Sequence, residues 1–593
     1  MTEIKEKVLD TFEDLSRWKT ITSGQATLRI SQDQGFSDIA MRLDFDFRGG
    51  GGFVVATKPF SLDIPESYSF LFQIRGLAPR NAFEFKLVDE SHQNVWRYRV
   101  EAFDFPETWQ PFTIRSHQIG FAWGPLGGGP PRNVTAIELV IAAGPGRKGT
   151  VWIEALKMRD ETYRLTPKVQ ASSALPGHGP ENALDAGNSS WRSEASPEPQ
   201  WLLIDFRQVR EYGGLVVQWE KGYAAQAFDV QVSLDGGTWN TVYATRQGGS
   251  ERSYLYLPQS TSRLIRINLL QSEHAKGFAI RRIEVKSYEF SRTLNHFFES
   301  IAREKSTGLY PKYFLGRQTY WTIVGTGDGE TQALMNEEGM VEVDKGSFSI
   351  EPFLHVAGRL VTWADGDSSQ ALAKGYLPIP SSEWRIEGLT MKVTAFTVLA
   401  EWGPVLFIRY RVTNMAQAGQ SVLFFAALRP FQVTPTWQSW QSFGGVSRVR
   451  DLAFRDGVVR INGNRVVIPL SSPVAFGGAS FAAGGVTRYL AMGELPPQTQ
   501  VTDDFGFASG ALRFDMNLGP GLHEDVYLAV PFGTNEGMKV GAARTLLLGR
   551  SLTGHEAYEQ AARGGDAKRN EGRVHLPPRA QPRDDTFKRD RAH

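Results

Sequence analysis

Short runs of alternating apolar and polar residues fill most of this chain, and turn residues separate them. Residues 215–219 and 227–233 are two such runs, with Asp235-Gly236-Gly237 as a turn before Trp239. Residues 53–57, 68–75, 82–88, 96–100, 137–141 and 151–155 read the same way, as do 389–400, 405–414, 421–428, 466–470, 486–492 and 525–531. A period of two places one face of each strand in a core and the other in water. One segment changes period. Leu294, Phe297, Phe298 and Ile301 fall at helical spacing, and Lys305-Ser306-Thr307-Gly308 closes the run, which predicts a single helix inside 291–307. The predicted fold class is all-β: three tandem β-sandwich units, a short linking helix and a disordered C-terminal tail. The expected boundaries are 1–162, 165–287 and 309–550 for the sandwiches and 564–593 for the tail.

Composition narrows the function. The chain has 593 residues, with 65 Lys+Arg against 64 Asp+Glu, so no basic excess argues for nucleic acid. The 15 Trp and 37 Phe must mostly pack cores, which leaves a few to act as exposed platforms. Cysteine is absent, which excludes disulfides, thiol catalysis and cysteine metal sites. The first residues, MTEIKEKVLDTFEDL, lack an apolar leader core, and no apolar run reaches the ~20 residues a membrane helix needs. A cytoplasmic location without membrane partners is therefore expected. The tail carries more Lys and Arg than Asp and Glu, with few apolar residues, and reads as a solvated segment. A short helical run at 555–563 is expected before it.

Three phrases carry a resemblance. Trp219-Glu220, Tyr223-Ala224 and Ser233-Leu234-Asp235-Gly236 with Trp239 resemble the middle of the discoidin (coagulation-factor C-type) domain, in its carbohydrate-binding branch. Gln200-Trp201-Leu202-Leu203-Ile204-Asp205 and Gly277-Phe278-Ala279-Ile280 extend the likeness over 165–287. Residues 1–162, through Phe83-Glu84-Phe85-Lys86-Leu87-Val88-Asp89 and Trp96-Arg97-Tyr98, resemble a jelly-roll carbohydrate-binding module. Residues 309–550, through Tyr320-Trp321-Thr322, Lys345 to Phe353 and Leu377-Pro378-Ile379-Pro380, resemble the mutarotase-like sandwich that precedes an (α/α)6 barrel in bacterial glycoside-processing proteins.

The resemblance implies binding of an oligo- or polysaccharide, with Trp96, Tyr98, Trp123, Trp191 and Tyr223 as candidate sugar contacts and Trp109 as a further one. A sugar ring stacks its C–H face on an aromatic, so flat exposed rings are the residues to seek. It also implies a structural calcium in the loop Asp185-Ala186-Gly187-Asn188-Ser189-Ser190, held by the Ala183 carbonyl, Asp185, Asn188, Ser190 and Glu284, although this loop is one residue short of the family pattern. No (α/α)6 barrel follows the third sandwich, so the expected activity is binding, as the non-catalytic part of a glycoside-hydrolase-like protein. A separately encoded catalytic barrel is a conceivable partner. Action on a glycan together with that partner, and a protein-binding scaffold, are the alternatives. Glycoside hydrolysis needs two carboxylates about 5–10 Å apart. Glu351, Asp365 and Glu383 lie in or near the third unit's phrases, yet each also reads as a turn or strand-end residue, and no catalytic residue is assigned.

Overall fold

A computed structural model describes residues 6–532 except 186, 273–275, 326–330, 401–402 and 440–442. The expected tail and the run at 555–563 lie outside the described residues. Strands dominate, and Leu294–Glu304 is the one helix longer than five residues among those described. The chain forms two compact units. The first comprises Met1–Lys168, Asp205–Glu211 and Thr261–Leu264; the second comprises Val169–Ile204, Tyr212–Ser260 and the chain from Ile265 on.

In the first unit two six-stranded antiparallel sheets face each other. One runs in the order Thr27–Gln34, Ile39–Asp46, Lys148–Asp160, Tyr68–Leu77, Gln110–Arg115, with Glu6–Asp10 also on Lys148–Asp160. The other runs Gly120–Trp123, Val95–Phe103, Asn81–Asp89, Asn133–Ala142, Phe53–Asp63, Lys19–Thr22. The alternation in Tyr68–Leu77 shows why: Phe70, Phe72 and Ile74 point into the core while Leu71, Gln73 and Arg75 stay half-exposed. Phe83, Phe85 and Leu87 meet them from the second sheet.

The second unit begins with a seven-stranded antiparallel sheet. Its long strands, Gln200–Trp219 and Arg252–Ser272, lie side by side, and Leu215 and Val217 alternate into a core with Leu255 and Ile267. Gly214 is required where the turn Tyr288–Ser291 crosses this sheet. A Cβ there would stand 2.3 Å from the Leu255 carbonyl and 2.7 Å from the Phe290 ring.

The helix Leu294–Glu304 starts because Thr293 caps it, its hydroxyl accepting from the His296 N–H at 3.2 Å. Its apolar face, Phe297, Phe298 and Ile301, packs with Val216 and Tyr254 of the sheet before it and with Phe431 and Phe507 of the sandwich after it. It is thus a wedge of shared core as well as a linker in sequence.

An eight-stranded and a nine-stranded antiparallel sheet make the last sandwich, with Trp384, Tyr410, Phe424 and Phe514 among the residues between them. One expectation fails here. Residues 486–492 are a short helix, Val486–Leu490, and not a strand. The Val486 N–H is bonded by Ser509 Oγ at 2.9 Å, and Val486 and Leu490, four apart, face Phe353 and Phe425 together. A run this short fits either period, and the neighbouring apolar surface decides.

Candidate functional site

The two Trp residues nearest the resemblance phrases are not platforms. Trp96 is buried, its indole N–H donating to the Gly129 carbonyl at 2.7 Å and its ring edge-on to Phe121. Trp191 is fully buried and donates to the Ser173 carbonyl at 3.0 Å. Both are core residues whose one polar atom is satisfied internally. Tyr98 is half-buried, lying across Phe112 at 6.0 Å, and Trp109 is half-buried.

Trp123 differs, and the reason is local. Phe121 pairs with Trp96, and the register slips before Trp123 pairs with Val95. Without that bulge Trp123 would share the inward face of Phe121; the extra residue turns it to the outer face. It ends 46% exposed. Gly124 fixes the turn that follows, since a Cβ there would meet Asn94 Oδ1 at 2.3 Å. The outer face beside Trp123 is polar and ordered by register. Thr57, Glu138, Lys86 and Arg97 stand in one row across four strands. Lys86 Nζ and the Arg97 guanidinium lie 5.2 and 5.7 Å from the Trp123 ring centre. Glu84 in the adjacent row accepts from Arg99 and takes Lys86 at 3.2 Å, which holds the basic residues upright. Burial pushes the Glu138 carboxyl above its ordinary value, against the pull of Lys86 and His92. An exposed ring beside fixed donors and acceptors can stack a flat ligand and bond its hydroxyls.

A second cluster forms around the Trp-Glu and Tyr-Ala phrases. Trp219 is core, its indole donating to Ser253 Oγ at 2.9 Å. Glu220 takes the Arg192 guanidinium, with Nε at 3.0 Å from Oε2, and the Ser190 hydroxyl at 2.8 Å. Burial alone would raise the Glu220 carboxyl, but these bonds outweigh it and hold it below its ordinary value. The same guanidinium lies 5.5 Å from the centre of the half-buried Tyr223 ring. His178 Nδ1 sits 2.9 Å from the Ser190 carbonyl oxygen. Arg192 and Glu220 were not among the sequence candidates; the spacing of Ser190, Arg192 and Trp219-Glu220 was the available signal.

The calcium donors fare differently. Ala183 is buried in the turn Pro180–Ala183, while Asp185 and Asn188 are exposed. Ser190 donates its hydroxyl proton to Glu220. Glu284 is ringed by Lys286 at 2.8 Å, Arg252 at 3.5 Å and Arg282 at 3.8 Å. Only Asp185 is left as an uncommitted carboxylate, and calcium wants six to eight oxygens with charge to match. Among the described residues no three His, Asp or Glu side chains cluster to hold a metal. Ser190 and Glu284 are thus committed to protein partners.

Of the carboxylates weighed for chemistry, Glu351 is buried against Arg429 at 2.7 Å, Asp365 accepts from the Thr362 N–H and hydroxyl at 2.8 Å each, and Glu383 faces Arg385 at 3.3 Å. All three are held by partners within the protein. Among the described residues no helix is long and apolar enough to cross a membrane.

No curated protein matches this chain. Among solved structures, the family 11 carbohydrate-binding module of cellulase Lic26A-Cel5E of Clostridium thermocellum is 16% identical, over 26% of this chain and 95% of its own, with a TM-score of 0.23. A chitosan-binding module of the chitosanase/glucanase from Paenibacillus sp. IK-5, solved with chitotriose, is 26% identical over 21% of this chain and 100% of its own, with a TM-score of 0.20. The family 32 module of C. perfringens NanJ, solved with galactose, is 14% identical over 20% of this chain and 92% of its own, with a TM-score of 0.19. The family model that matches covers all three of the phrases between Trp219 and Trp239: residues 168–283 are an F5/8 type C (discoidin) domain.

Proposed function

We propose that the protein is a multi-module carbohydrate-binding protein that holds an oligo- or polysaccharide on two faces. One is the Trp123 face of the first unit; the other is the Arg192–Glu220–Tyr223 cluster of the discoidin domain. The observation that carries this reading is the bulge that turns Trp123 outward beside Lys86, Arg97 and Glu138. An apolar plate with a few convergent polar groups suits a pyranose, which offers a C–H face to the ring and hydroxyls to the rim. Two such faces on one chain would raise avidity for a repeating polymer. In the finer form of this proposal the last sandwich supports a glycoside-active helical barrel, and the chain described here supplies binding without chemistry.

The test is a glycan array followed by calorimetry with purified protein. Binding of a neutral oligosaccharide that weakens in Trp123→Ala supports the reading. An array without hits removes it, and turnover of any oligosaccharide, followed by chromatography, overturns the non-catalytic part.

A further inference from the structure

The chain as a whole is almost neutral, with 65 basic against 64 acidic residues. One place is far from neutral. Within the second unit a cleft of about 690 Å³ opens between the discoidin sheet, the end of the helix and the 481–492 segment of the last sandwich. Five cationic side chains line it, Lys221, Arg252, Arg281, Lys305 and Arg488, and Glu251 is the lone lining carboxylate. Such a surplus in a balanced chain is local placement, and it focuses a positive field into a partly walled space.

Arg252 is paired with Glu304 at 2.7 Å and Glu284 at 3.5 Å, and among the described residues the other four cations carry no ion pair. The Arg488 guanidinium donates to the Gly249 and Ala483 carbonyls at 3.0 and 3.1 Å, so it is anchored by neutral groups. The Arg252 Nε is buried with no hydrogen-bond partner. Lys305 lies 5.6 Å from the Tyr254 ring centre, and burial, then Arg252, lower its affinity for its proton against the pull of Glu304. Like charges crowded this way repel one another, and an anion between them relieves the repulsion.

The walls are not those of a plain phosphate site. Tyr254, Tyr310 and Phe481 contribute ring surface, and Gln218, Ser250 and Ser253 contribute neutral polar groups. The volume lies inside the ~300–1,000 Å³ span of small-ligand pockets. Rings, hydroxyl partners and several separated cations together match a short chain of sugar rings that carries one negative group per ring. We infer that this cleft binds an acidic oligosaccharide of the uronate class; its lining residues are not those of either face above, although Lys221 adjoins Glu220 of the second. The inference rests on the saccharide-binding reading and adds its substrate class.

The full chain is titrated by calorimetry with trigalacturonate, with its fully methyl-esterified and therefore uncharged counterpart, with inorganic sulfate and with a short single-stranded oligonucleotide, at low and at high salt. The acid should bind at least tenfold more tightly than the ester and than sulfate, and should weaken as salt rises. Lys221→Gln with Arg281→Gln, both exposed and free of ion pairs, should lower that affinity at least tenfold, and Lys305→Gln should lower it on its own. Equal binding of acid and ester, full affinity in the double variant, or tighter binding of the oligonucleotide each overturns the assignment. Loss of neutral-sugar binding in Trp123→Ala reads the first face alone, so either site can fail without the other.

Discussion

The Arg252 guanidinium and the Glu304 carboxylate meet at 2.7 Å, joining a discoidin strand to the last residue of the helix. The Tyr254 hydroxyl donates to the same Glu304 oxygen at 3.1 Å, and Lys286 reaches the other at 3.3 Å. An acidic side chain at a helix C-terminus opposes the helix dipole, so these donors offset an otherwise unfavourable position. They also set the wall of the basic cleft.

Glu304→Gln should lower stability by about 1 kcal/mol, a modest figure because the pair is partly exposed and screened. Urea unfolding at low salt would show it, with a smaller loss at high salt. An unchanged midpoint would make the contact incidental.

Phe298→Ala should cost much more, about 3–5 kcal/mol. Its ring is 2% exposed, with Phe431, Phe481 and Phe507 at 5.1–5.6 Å. Calorimetry should also show the discoidin sheet and the last sandwich separating into two transitions, because the shared core would lose its centre. Phe36→Ala, on a side chain 64% exposed, should stay within about 0.5 kcal/mol.

Stability should fall as pH rises from about 5.5 to about 8.5. Burial pushes Glu338 up to about 8 and Glu342 up to about 7, with Glu337 and Glu351 adding to the first and Asp344 to the second. Folded protein therefore keeps protons that unfolded chain releases near pH 4.5, so their contribution is complete below that pH and is lost as pH climbs through the folded values. Glu338→Gln should flatten the melting temperature against pH. A slope identical to that of the parent protein would refute the assignment.

Trp123→Ala should keep the fold and lower neutral-saccharide affinity at least about tenfold, or about 1.4 kcal/mol. Trp96→Ala should do the reverse, losing several kcal/mol of stability as a buried Trp truncation does. Thermal melts alongside calorimetry separate the two.

Millimolar calcium or a chelator should move the melting temperature by less than about 2 °C, since a bound ion well above its dissociation constant would add about 3 kcal/mol or more. A larger rise with calcium would show that the 183–190 loop assembles donors for the ion.

The reach of the sequence follows from what a strand's pattern encodes. Alternation in 68–75 and 389–400 announced strands because the two faces of a strand are written two residues apart, and the helix at Leu294 was as plain because Phe297, Phe298 and Ile301 repeat on one side. The edge strand Thr27–Gln34, TLRISQDQ, carries only Leu28 and Ile30 as apolar positions before the polar run Ser31 to Gln34, too short an alternation to announce itself. The Trp-Glu and Tyr-Ala phrases named the discoidin domain, yet not the partners of Glu220.

By itself, then, the sequence determined that the chain is built of sandwiches, where the helix lies and that residues 168–283 are discoidin-like. Tertiary structure alone decided which rings are exposed and where charge gathers. Trp96 and Trp123 look alike in the sequence, yet Trp96 lies on the inward face of its strand while a register slip turns Trp123 outward. Lys221 and Arg488 share a cleft although hundreds of residues separate them, because Phe298 draws two sheets onto one helix. Periodicity records which side of an element is apolar; which element that side meets is settled only by packing.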